Sequence, residues 1–479
     1  MVPLTLMFAS KKFLVISLVV SIWVFFIYAS PLLADFSLYW QNQNYFLVES
    51  RFFNTLDLDK QGAPASNNAG NQRLFSTFKL RMKPSLSITD RLTLHAMFDA
   101  FMSPYTTKSQ EEGALLGQPA TDTNGYGPNT TNLPRQLFGD GSGSSGTFSQ
   151  TSLTSGDGNF LLRAAYFEYI GDWGIFKVGR QPRHWGLGIR YNSGEKPWDK
   201  FGDRTDTLSY ELGLGNFKVS ALYTKIAENA IDSKKDDVTL YESYLHWNDP
   251  EKDFDLGFLY TFFRESRVFI AMHYLDAYFM KKAKQWQAGI EAVLGSGSPG
   301  TVSGNMAAQV GVASEFEYDW TASLSNFLKL GYASGPDIER TGRLTNFAFD
   351  RNYDIALLMF NQPLGAISGS TGIDANSDPD VNAIFSAYYL NIGGKYQFND
   401  RIGTSLGWTT AQSPMALASG GDKDYGNEID GSLWYRFLEN LKFKADTGIF
   451  FPGKLYKGAT LSRATNFAYG GELSATLIF

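Results

Sequence analysis

A period-two alternation of apolar and polar residues is the feature that most constrains how this chain can fold. It is clearest near the C-terminus, where Tyr469, Leu473 and Leu477 fall on one face of an extended segment. Glu472 and Ser474 fall on the opposite face. Because successive side chains of a β-strand point to opposite sides, the pattern predicts strands that have one apolar and one polar face.

Segments with this alternation recur along the chain, each about ten residues long and separated from the next by turn residues. They are predicted at residues 45–58, 74–87, 92–102, 160–170, 175–183, 205–214, 217–226, 237–247, 254–263, 268–279, 286–294, 305–317, 324–334, 383–398, 402–412, 427–437, 441–450 and 465–479. This gives about eighteen strands, or about sixteen if one pair of segments is wrongly divided.

The connections between these segments alternate between short and long. Short connections lie at residues 89–91, 171–174, 215–216, 399–400 and 439–440, and those between them are mostly longer and rich in Gly, Ser, Asn and Asp. Transmembrane barrels have this asymmetry, with short turns at one end and long loops at the other. The predicted fold class is therefore all-β: a transmembrane antiparallel β-barrel whose termini lie at the end with the short turns.

Composition excludes several other classes of protein. A polytopic helical membrane protein needs several apolar windows of about 20 residues, and the sequence has one, at the N-terminus. The chain has no cysteine for a disulfide scaffold, and its aromatic content of 15% argues against disorder. A formal net charge of -6 disfavours a nucleic-acid partner. The sequence has neither the blade repeat of a propeller nor the domain linkers of a soluble sandwich array.

Residues 1–34 have the character of an export signal. Lys11 and Lys12 precede an uncharged apolar stretch that ends in a small residue. This order predicts a signal peptide over residues 1–34 and a barrel over residues 35–479. An uncleaved N-terminal anchor is the alternative, because Leu32 is larger than the residue usually found three positions before the cleavage site.

The last strand of the chain ends in Phe479 with Leu477 and Leu473 behind it. With this strand, the chain after the signal resembles bacterial outer-membrane β-barrels of the porin-like family over its whole length, and the terminal Phe479 looks like the signal that the barrel-assembly machinery recognises in this family. Residues 178–181, Val-Gly-Arg-Gln, and the following Trp185 are similar to a strand and loop of some porin-like barrels. The resemblance implies outer-membrane lipid and the barrel-assembly machinery as partners. The acidic constriction-loop motif of general enterobacterial porins is missing, so their trimer and pore eyelet are not implied.

Motifs for enzymatic chemistry are scarce. The sequence lacks a phosphate-binding G-x-x-x-x-G-K-[ST] loop, an H-E-x-x-H zinc motif and any cysteine. The four histidines are formal candidates for the base of a Ser–His hydrolase, but none stands beside a nucleophile motif. They are His95, His184, His246 and His273. We therefore predict no catalytic residue, no metal ligand and no cofactor.

The polar faces of the predicted strands point into the barrel. The candidates for lining the pore are Lys79, Arg81, Lys83, Lys218, Asp255, Glu291, Glu315, Glu317, Lys329, Lys395, Asp430, Arg436, Lys442, Lys444 and Asp446. With Glu211 and Glu472, which share this face, the set has nine basic and eight acidic members. Two arrangements remain open. Opposed basic and acidic walls would create a transverse field that favours dipolar solutes, whereas local pairing would merely solvate the lumen.

Two connections are too long to be simple turns. Residues 103–158 are rich in Gly and Ser and are expected to form a solvated surface crown. Residues 335–381 contain an apolar patch, which predicts that this loop packs either into the barrel mouth as a constriction or against a neighbouring subunit. The patch comprises Ile355, Leu357, Leu358 and Phe360. In the same loop, Asp374, Asp378 and Asp380 form either a Ca²⁺ site or a solvated cluster.

The leading functional hypothesis is a porin, a water-filled channel for passive diffusion of small polar solutes or ions. The alternative is a structural or lipid-organising barrel with a plugged lumen, which assembles into a ring or trimer through its aromatic outer surface. An outer-membrane hydrolase is a third hypothesis. A homo-oligomer is expected, while the sequence leaves its size and the identity of the solute open.

Overall fold

The structure of the chain, a computed structural model, describes most of the barrel. The described residues are 37–40, 44–56, 58, 72–100, 114–115, 160–227, 238–266, 269–299, 307–335, 345–362, 364, 383–417, 421–457 and 465–479. The predicted signal peptide, most of the loop at residues 103–158, and Asp374, Asp378 and Asp380 lie outside these residues.

The described residues form eighteen antiparallel strands, of which the first two are each interrupted once. Strand β1 comprises Ser37–Trp40 and Tyr45–Asn54, and β2 comprises Gln72–Met82 and Pro84–Thr89. The others are β3 Leu92–Ala100, β4 Phe160–Gly171, β5 Gly174–Pro182, β6 Arg204–Leu214, β7 Phe217–Ala227, β8 Val238–Asp249, β9 Phe254–Glu265, β10 Ile270–Lys282, β11 Trp286–Pro299, β12 Ala307–Asp319, β13 Leu324–Ala333, β14 Ala387–Gln397, β15 Ile402–Gln412, β16 Asp424–Arg436, β17 Leu441–Pro452 and β18 Ala468–Ile478.

Small elements accompany these strands. A two-residue strand, Ala114–Leu115, pairs with Thr77 and Phe78 of β2. Short 3₁₀ turns lie at Pro250–Lys252 and Lys454–Lys457. Within the described ranges, no helix is long and apolar enough to cross a bilayer.

Each strand pairs with the next along the chain, and β18 pairs with β1 to close the barrel. At this closing seam Tyr45 is opposite Ile478, and Asn54 is opposite Tyr469. Each of the eighteen strands therefore pairs with a neighbour on both sides, as the strands of a closed barrel do.

Side-chain alternation separates an apolar outer surface from a polar interior. On β18, Leu473 is 63% exposed on the outside, while its neighbour Glu472 is buried inside. Leu433 on β16 and Phe443 on β17 are likewise exposed on the outer surface. Apolar residues in this position are those that a membrane-spanning barrel presents to lipid.

The two ends of the barrel differ in their connections. At the turn end, connections of two to four residues join neighbouring strands. Gly215 in one of them has a φ of +64°, the left-handed conformation that tight turns between strands require. Trp173 and Trp320 lie in turns at this end and are 81% and 61% exposed, as expected of an interfacial aromatic girdle. At the loop end, the connections are generally longer.

The predicted all-β antiparallel barrel is confirmed in strand number and order, and each predicted segment corresponds to a strand. Several predicted boundaries differ from the observed ones: β1 ends at Asn54 where the prediction extends to residue 58, and β11 continues to Pro299 where the prediction ends at residue 294. Residues 383–386 were predicted to begin β14 but lie in the connection that precedes it. The reason is packing inside the barrel, where Ile384 and Phe385 are buried and the N–H of Phe349 donates to the Ile384 carbonyl at 2.9 Å.

Candidate functional site in the barrel lumen

Two connections from the loop end return into the lumen. Loop A comprises residues 183–203, between β5 and β6, and loop B comprises residues 345–362, between β13 and β14. Both carry apolar side chains with no exposed surface, namely Ile189 in loop A and Leu358 and Met359 in loop B. Packed protein therefore fills part of the lumen.

Arg81 on β2 anchors loop A from one side of the lumen. Its guanidinium is 0% exposed and donates to the two carboxylate oxygens of Asp99 on β3, at 2.7 and 2.8 Å. It also donates to the carbonyl of Gly194 in loop A at 2.7 Å. Arg163 on β4 donates to the same Asp99 at 2.9 Å. Since a buried charge is stable only when it is paired, this network fixes loop A to the wall.

The lysines on either side of Arg81 hold the same loop. Lys79 donates to the carbonyl of Asp199 at 3.1 Å, and Lys83 forms an ion pair with Glu195. Both lysines are at most 3% exposed. The basic row of β2 therefore lies beneath loop A and does not face lumen water.

The opposite wall holds loop A with carboxylates. Glu242 on β8 forms an ion pair with Arg183 at the start of the loop. Glu291 on β11 accepts hydrogen bonds from the N–H of Gly188 at 3.0 Å and the N–H of Ile189 at 3.4 Å. Loop A thus crosses the lumen from the wall around β2 to the wall formed by β8–β11.

Two glycines allow this path. Gly194 has a φ of +62°, and a Cβ atom added there would lie 1.7 Å from the carbonyl oxygen of Phe201. Gly186 has a φ of +55°, and its added Cβ would lie 2.6 Å from a carboxylate oxygen of Glu291. A left-handed backbone in such close contact accepts no larger residue without strain.

Loop B is held by one carboxylate, one hydroxyl and apolar packing. Glu428 on β16 is 0% exposed and accepts hydrogen bonds from the N–H groups of Leu358 and Met359, each at 2.6 Å. Thr409 on β15 donates to the carbonyl of Ile355 at 3.0 Å. These bonds satisfy backbone groups that would otherwise be buried unpaired.

The two loops also contact each other. Asn352 of loop B donates to the carbonyl of Phe201 in loop A at 2.9 Å and accepts a hydrogen bond from its N–H at 3.0 Å. The N–H of Asp350 in loop B donates to the carbonyl of Ile189 in loop A at 2.8 Å. Loops A and B therefore form one inward unit, and a displacement of one will affect the other.

A cavity of about 1050 Å³ lies beside this inward unit, and its wall extends to residues near the turn end such as Pro250. Trp198 of loop A, Asp354 of loop B and the inner faces of several strands line it. A volume of this size holds a small solute together with water.

Ion pairs between near neighbours neutralise much of the cavity wall. The pairs are Lys329–Glu315 at 2.9 Å, Lys395–Glu317 at 2.7 Å, Lys444–Asp446 at 2.9 Å and Lys200–Glu472 at 3.0 Å. The acidic row of β12, Glu315 and Glu317, is thus matched by lysines from β13 and β14. Of the two arrangements left open by the sequence, local pairing fits this wall better than opposed basic and acidic walls.

The residues predicted to line the pore fall into three groups. Those on the cavity wall are Asp255, Glu315, Glu317, Lys329, Lys395, Asp430, Lys444 and Asp446. Those buried behind loop A are Lys79, Arg81, Lys83 and Glu291. The third group lies elsewhere. Lys218 is 3.3 Å from Glu211, and Lys442 is 5.5 Å from the ring of Trp198. Arg436 is exposed near the turn end. A role in solute passage stays a prediction for each group.

The apolar patch predicted in the second long loop lies within loop B. Ile355, Leu358 and Phe360 are buried, and Leu357 lines the cavity. Phe360 packs on Tyr425 of β16 with ring centroids 5.0 Å apart. This position inside the barrel is the one that a constriction requires, and the narrowing of the passage stays a prediction.

Sequence reasoning did not identify loop A as an inward element. In the sequence, Trp185 of this loop is notable only as part of a segment that is similar to a strand and loop of other barrels. The available signal was composition, because residues 183–203 also contain Tyr191, Trp198 and Phe201. Solvated loops rarely concentrate so many aromatic side chains, so their density favours a packed loop.

A Ser–His pair lies on the inner wall toward the turn end. His95 Nδ1 is 2.8 Å from Ser85 Oγ, and His95 Nε2 is 3.6 Å from the carboxylate of Glu168. Ser85 is 0% exposed. Nucleophilic attack would require a substrate to reach this hydroxyl, and burial prevents that.

The other three histidines lie elsewhere. His246 contacts Asp255 at 2.6 Å, and His273 contacts Tyr260 at 2.8 Å. In loop A, burial lowers the pKa of His184. Within the described residues, no group of three or more His, Asp or Glu is placed to hold a metal ion.

Enclosure by protein shifts the pKa of two carboxyl groups in the loops. Asp354 reaches cavity water, but the surrounding protein desolvates it and raises its pKa to about 6, against the opposing influence of Lys200 and Lys329. In loop A, burial raises the pKa of Asp199, while the N–H of Lys196 lowers it. Asp354 is therefore a lumen carboxyl that changes charge close to neutral pH.

No protein-family model matches the chain, and no curated protein sequence matches it. Solved porin structures share its fold. A BenF-like porin from Pseudomonas fluorescens Pf-5 gives a TM-score of 0.51 at 9% identity, over 94% of this chain and 99% of that one. Pseudomonas aeruginosa OccK2 in complex with glucuronate and OpdK with vanillate each give a TM-score of 0.50 at 10% identity, over 93% of this chain and 99% of theirs. At these identities the likeness is one of fold.

Proposed function

We propose that this chain is an outer-membrane channel through which small polar solutes or ions diffuse passively. The observation that carries the proposal is a cavity of about 1050 Å³ with a charged wall, inside a closed barrel whose outer surface is apolar. An aqueous lumen enclosed by lipid-facing strands is the architecture of a diffusion pore. The porins of similar fold support the proposal, and two of them were solved with a small polar solute, glucuronate or vanillate.

In this channel, the charged residues of the cavity wall determine which solutes pass, and loops A and B narrow the passage. Trp198 of loop A and Asp354 and Leu357 of loop B face the cavity. Because the loops are joined through Asn352 and Phe201, the width of the passage depends on both of them.

Conductance of the purified protein in planar lipid bilayers tests the proposal. We expect discrete, step-like increases in current as single channels insert. Arg81→Met removes the guanidinium that ties loop A to the wall and should change the size of each step. Asp172→Asn changes a residue in the turn between β4 and β5, where Asp172 pairs with Arg91, and should leave the steps unchanged. Protein that inserts into the bilayer but produces no steps would refute the proposal.

A structural or lipid-organising barrel is the second candidate. The observation that favours it is the core formed by loop B inside the lumen, where Phe347, Phe349 and Leu358 are buried, as the core of a plug would be. This candidate predicts no conductance, together with a native mass that corresponds to a ring or a trimer. The channel hypothesis predicts conductance whatever the oligomeric state, so the two measurements together separate the candidates.

We further infer export, outer-membrane insertion in a Gram-negative cell and assembly into a homo-oligomer. The apolar residues within 1–34 and the terminal Phe479 support export and recognition by the barrel-assembly machinery. The N–H of Phe479 donates to the carbonyl of Asn44 at 3.0 Å, at the seam that closes the barrel. N-terminal sequencing of the mature protein should begin at Asp35, and Phe479→Ser should reduce the amount of assembled barrel. A full-length N-terminus would contradict cleavage, and a monomeric native mass would contradict the oligomer.

A further inference from the structure

A row of charged side chains crosses the outer surface of the barrel at its loop end. The strand register runs from Arg180 of β5 to Asp206 of β6 and Lys225 of β7, and from there to Thr239 of β8 and Arg264 of β9. Arg180 donates to both carboxylate oxygens of Asp206, at 2.8 and 2.9 Å. Because neighbouring strands are about 5 Å apart, Lys225 and Arg264 lie about 10 Å apart, on either side of Thr239.

The side chains of Lys225 and Arg264 both point away from the lumen. Thr224, which precedes Lys225, is 0% exposed inside the barrel, whereas Tyr223 is 43% exposed outside. Phe263, which precedes Arg264, is buried inside. Because successive side chains alternate between the two faces of a strand, Lys225 and Arg264 share the outer face. Arg264 is exposed and, within the described residues, takes part in no ion pair.

Aromatic side chains form the next outward row toward the middle of the barrel. Tyr223, Tyr241 and Phe262 are opposite one another on β7, β8 and β9. The ring centroids of Tyr223 and Tyr241 are 5.6 Å apart, and those of Tyr241 and Phe262 are 6.2 Å apart. Tyrosines on the outside of a barrel mark the boundary between the hydrocarbon layer and the lipid head groups. Lys225 and Arg264 stand about 7 Å beyond this row, at the depth of the head groups.

The far side of the barrel differs at the same height. The outward residues near the loop ends of β12–β17 are Val310, Tyr332, Tyr388, Gln412, Asn427 and Phe451. Within the described part of these six strands, no outward position is Lys or Arg. The pair of cations is therefore a local feature of β7–β9 and not a property of the whole rim.

We propose that Lys225 and Arg264 bind a phosphate group of lipid A, so that β7–β9 form a lipid-binding face of the barrel. The long loops of an outer-membrane barrel lie on the outer side of the membrane, where the leaflet is built from lipid A, a glycolipid that carries phosphate groups. The Arg fork donates two hydrogen bonds to a phosphate, and Lys adds a positive charge. Both side chains are long enough to meet at one phosphate above Thr239, while the acyl chains lie on the aromatic row.

Native mass spectrometry of the purified barrel in detergent, with lipid A added, tests the site. The wild-type protein should retain phosphorylated lipid A. Lys225→Gln/Arg264→Gln should bind it about tenfold more weakly, because charge-assisted hydrogen bonds are lost. The matched control, Arg91→Gln/Lys252→Gln, removes two exposed cations from the turn end and should bind as the wild-type protein does. Dephosphorylated lipid A should bind the wild-type protein as weakly as the phosphorylated lipid binds the double variant.

Arg264→Lys keeps the positive charge and should bind lipid A within about threefold of the wild-type protein. Circular dichroism establishes that each variant keeps its β-structure. Equal binding by the wild-type protein and the double variant would overturn the inference, and so would equal binding of the two forms of lipid A. The same loss in the control variant would also overturn it, because total charge and not this face would then attract the lipid. These measurements do not involve conductance, so they are independent of the proposed channel function.

Discussion

Loops A and B occupy the same lumen, but different forces hold them. Loop A is fixed by charges on both walls, including Arg81 on one side and Glu242 on the other. Loop B is fixed by an apolar core around Leu358, with Glu428 capping two backbone N–H groups. The polar inner face of a barrel therefore positions an inward loop in two ways. It offers buried ion pairs directly, or it supports a loop that brings its own apolar core.

Arg81→Met should lower the stability of the protein more than the other substitutions, because it leaves the carboxylate of Asp99 buried with one of its two arginine partners removed. We expect a loss of about 3–5 kcal/mol in the free energy of unfolding, measured by urea titration in lipid vesicles. Arg180→Met is the matched control, since Arg180 forms a similar bidentate pair with Asp206 that is partly exposed. Its loss should cost about 1 kcal/mol or less. Equal losses would show that burial does not distinguish the anchor of loop A.

Leu358→Ala tests the apolar anchoring of loop B. Leu358 is 0% exposed, so truncation should leave a cavity and lower the free energy of unfolding by about 3 kcal/mol. Leu433→Ala on β16 is the control, because Leu433 is 50% exposed on the outer surface and leaves no cavity. If both variants lost the same stability in urea titrations, loop B would not be held by a packed core.

Asn352→Ala tests whether the two loops act as one unit. The change removes both hydrogen bonds between Asn352 and Phe201, at a cost of about 1 kcal/mol for each bond. Single-channel records should then show additional short-lived current levels as the loops fluctuate separately. Asn361→Ala breaks a contact within loop B, to the Ala356 carbonyl, and should not produce these levels. Identical records for the two variants would contradict the coupling.

Of the changes considered, a change in pH should alter the channel least, and it should act on ion permeability through Asp354 of loop B. The pKa of Asp354 is raised to about 6 by the surrounding protein; Lys200 and Lys329 oppose this shift, and Asp199 adds to it. The carboxylate is charged above this pH and neutral below it, so the permeability of K⁺ relative to Cl⁻, obtained from the reversal potential under a KCl gradient, should fall by about twofold or less as the pH falls from about 7 to about 5. Asp354→Asn should abolish this pH dependence of the reversal potential. A pH response that persists in the variant would assign it to another group.

The barrel was predictable because its signal is periodic. Period-two patterns such as Phe258 and Tyr260 facing outward beside Asp255 facing inward are local, and each strand pairs with the next along the chain. Short turns at one end then fix the direction of every strand. Boundaries were less certain where apolar residues served another purpose, as at Ile384 and Phe385, which pack inside the barrel instead of extending β14.

The interior was predictable only in part, because its contacts are not local. The alternation places Arg81 on the inner face, but nothing near it in the sequence shows that it binds Gly194 of loop A. The charge count in the sequence was balanced, but it did not show that loop A covers the basic row of β2 while the acidic row of β12 lines the cavity. The apolar patch of loop B was visible as Ile355 and Leu358, whereas its capping by Glu428 depends on a strand far along the chain.

In the proposed channel, a charged aqueous passage runs beside two inward loops that are held differently. Single-channel recording of the wild-type protein and of Arg81→Met, in the same bilayer and salt, is the decisive experiment. We expect discrete current steps for the wild-type protein and larger steps for the variant, because the substitution releases loop A from the wall around β2. Insertion of both proteins without any steps would show that no such passage exists.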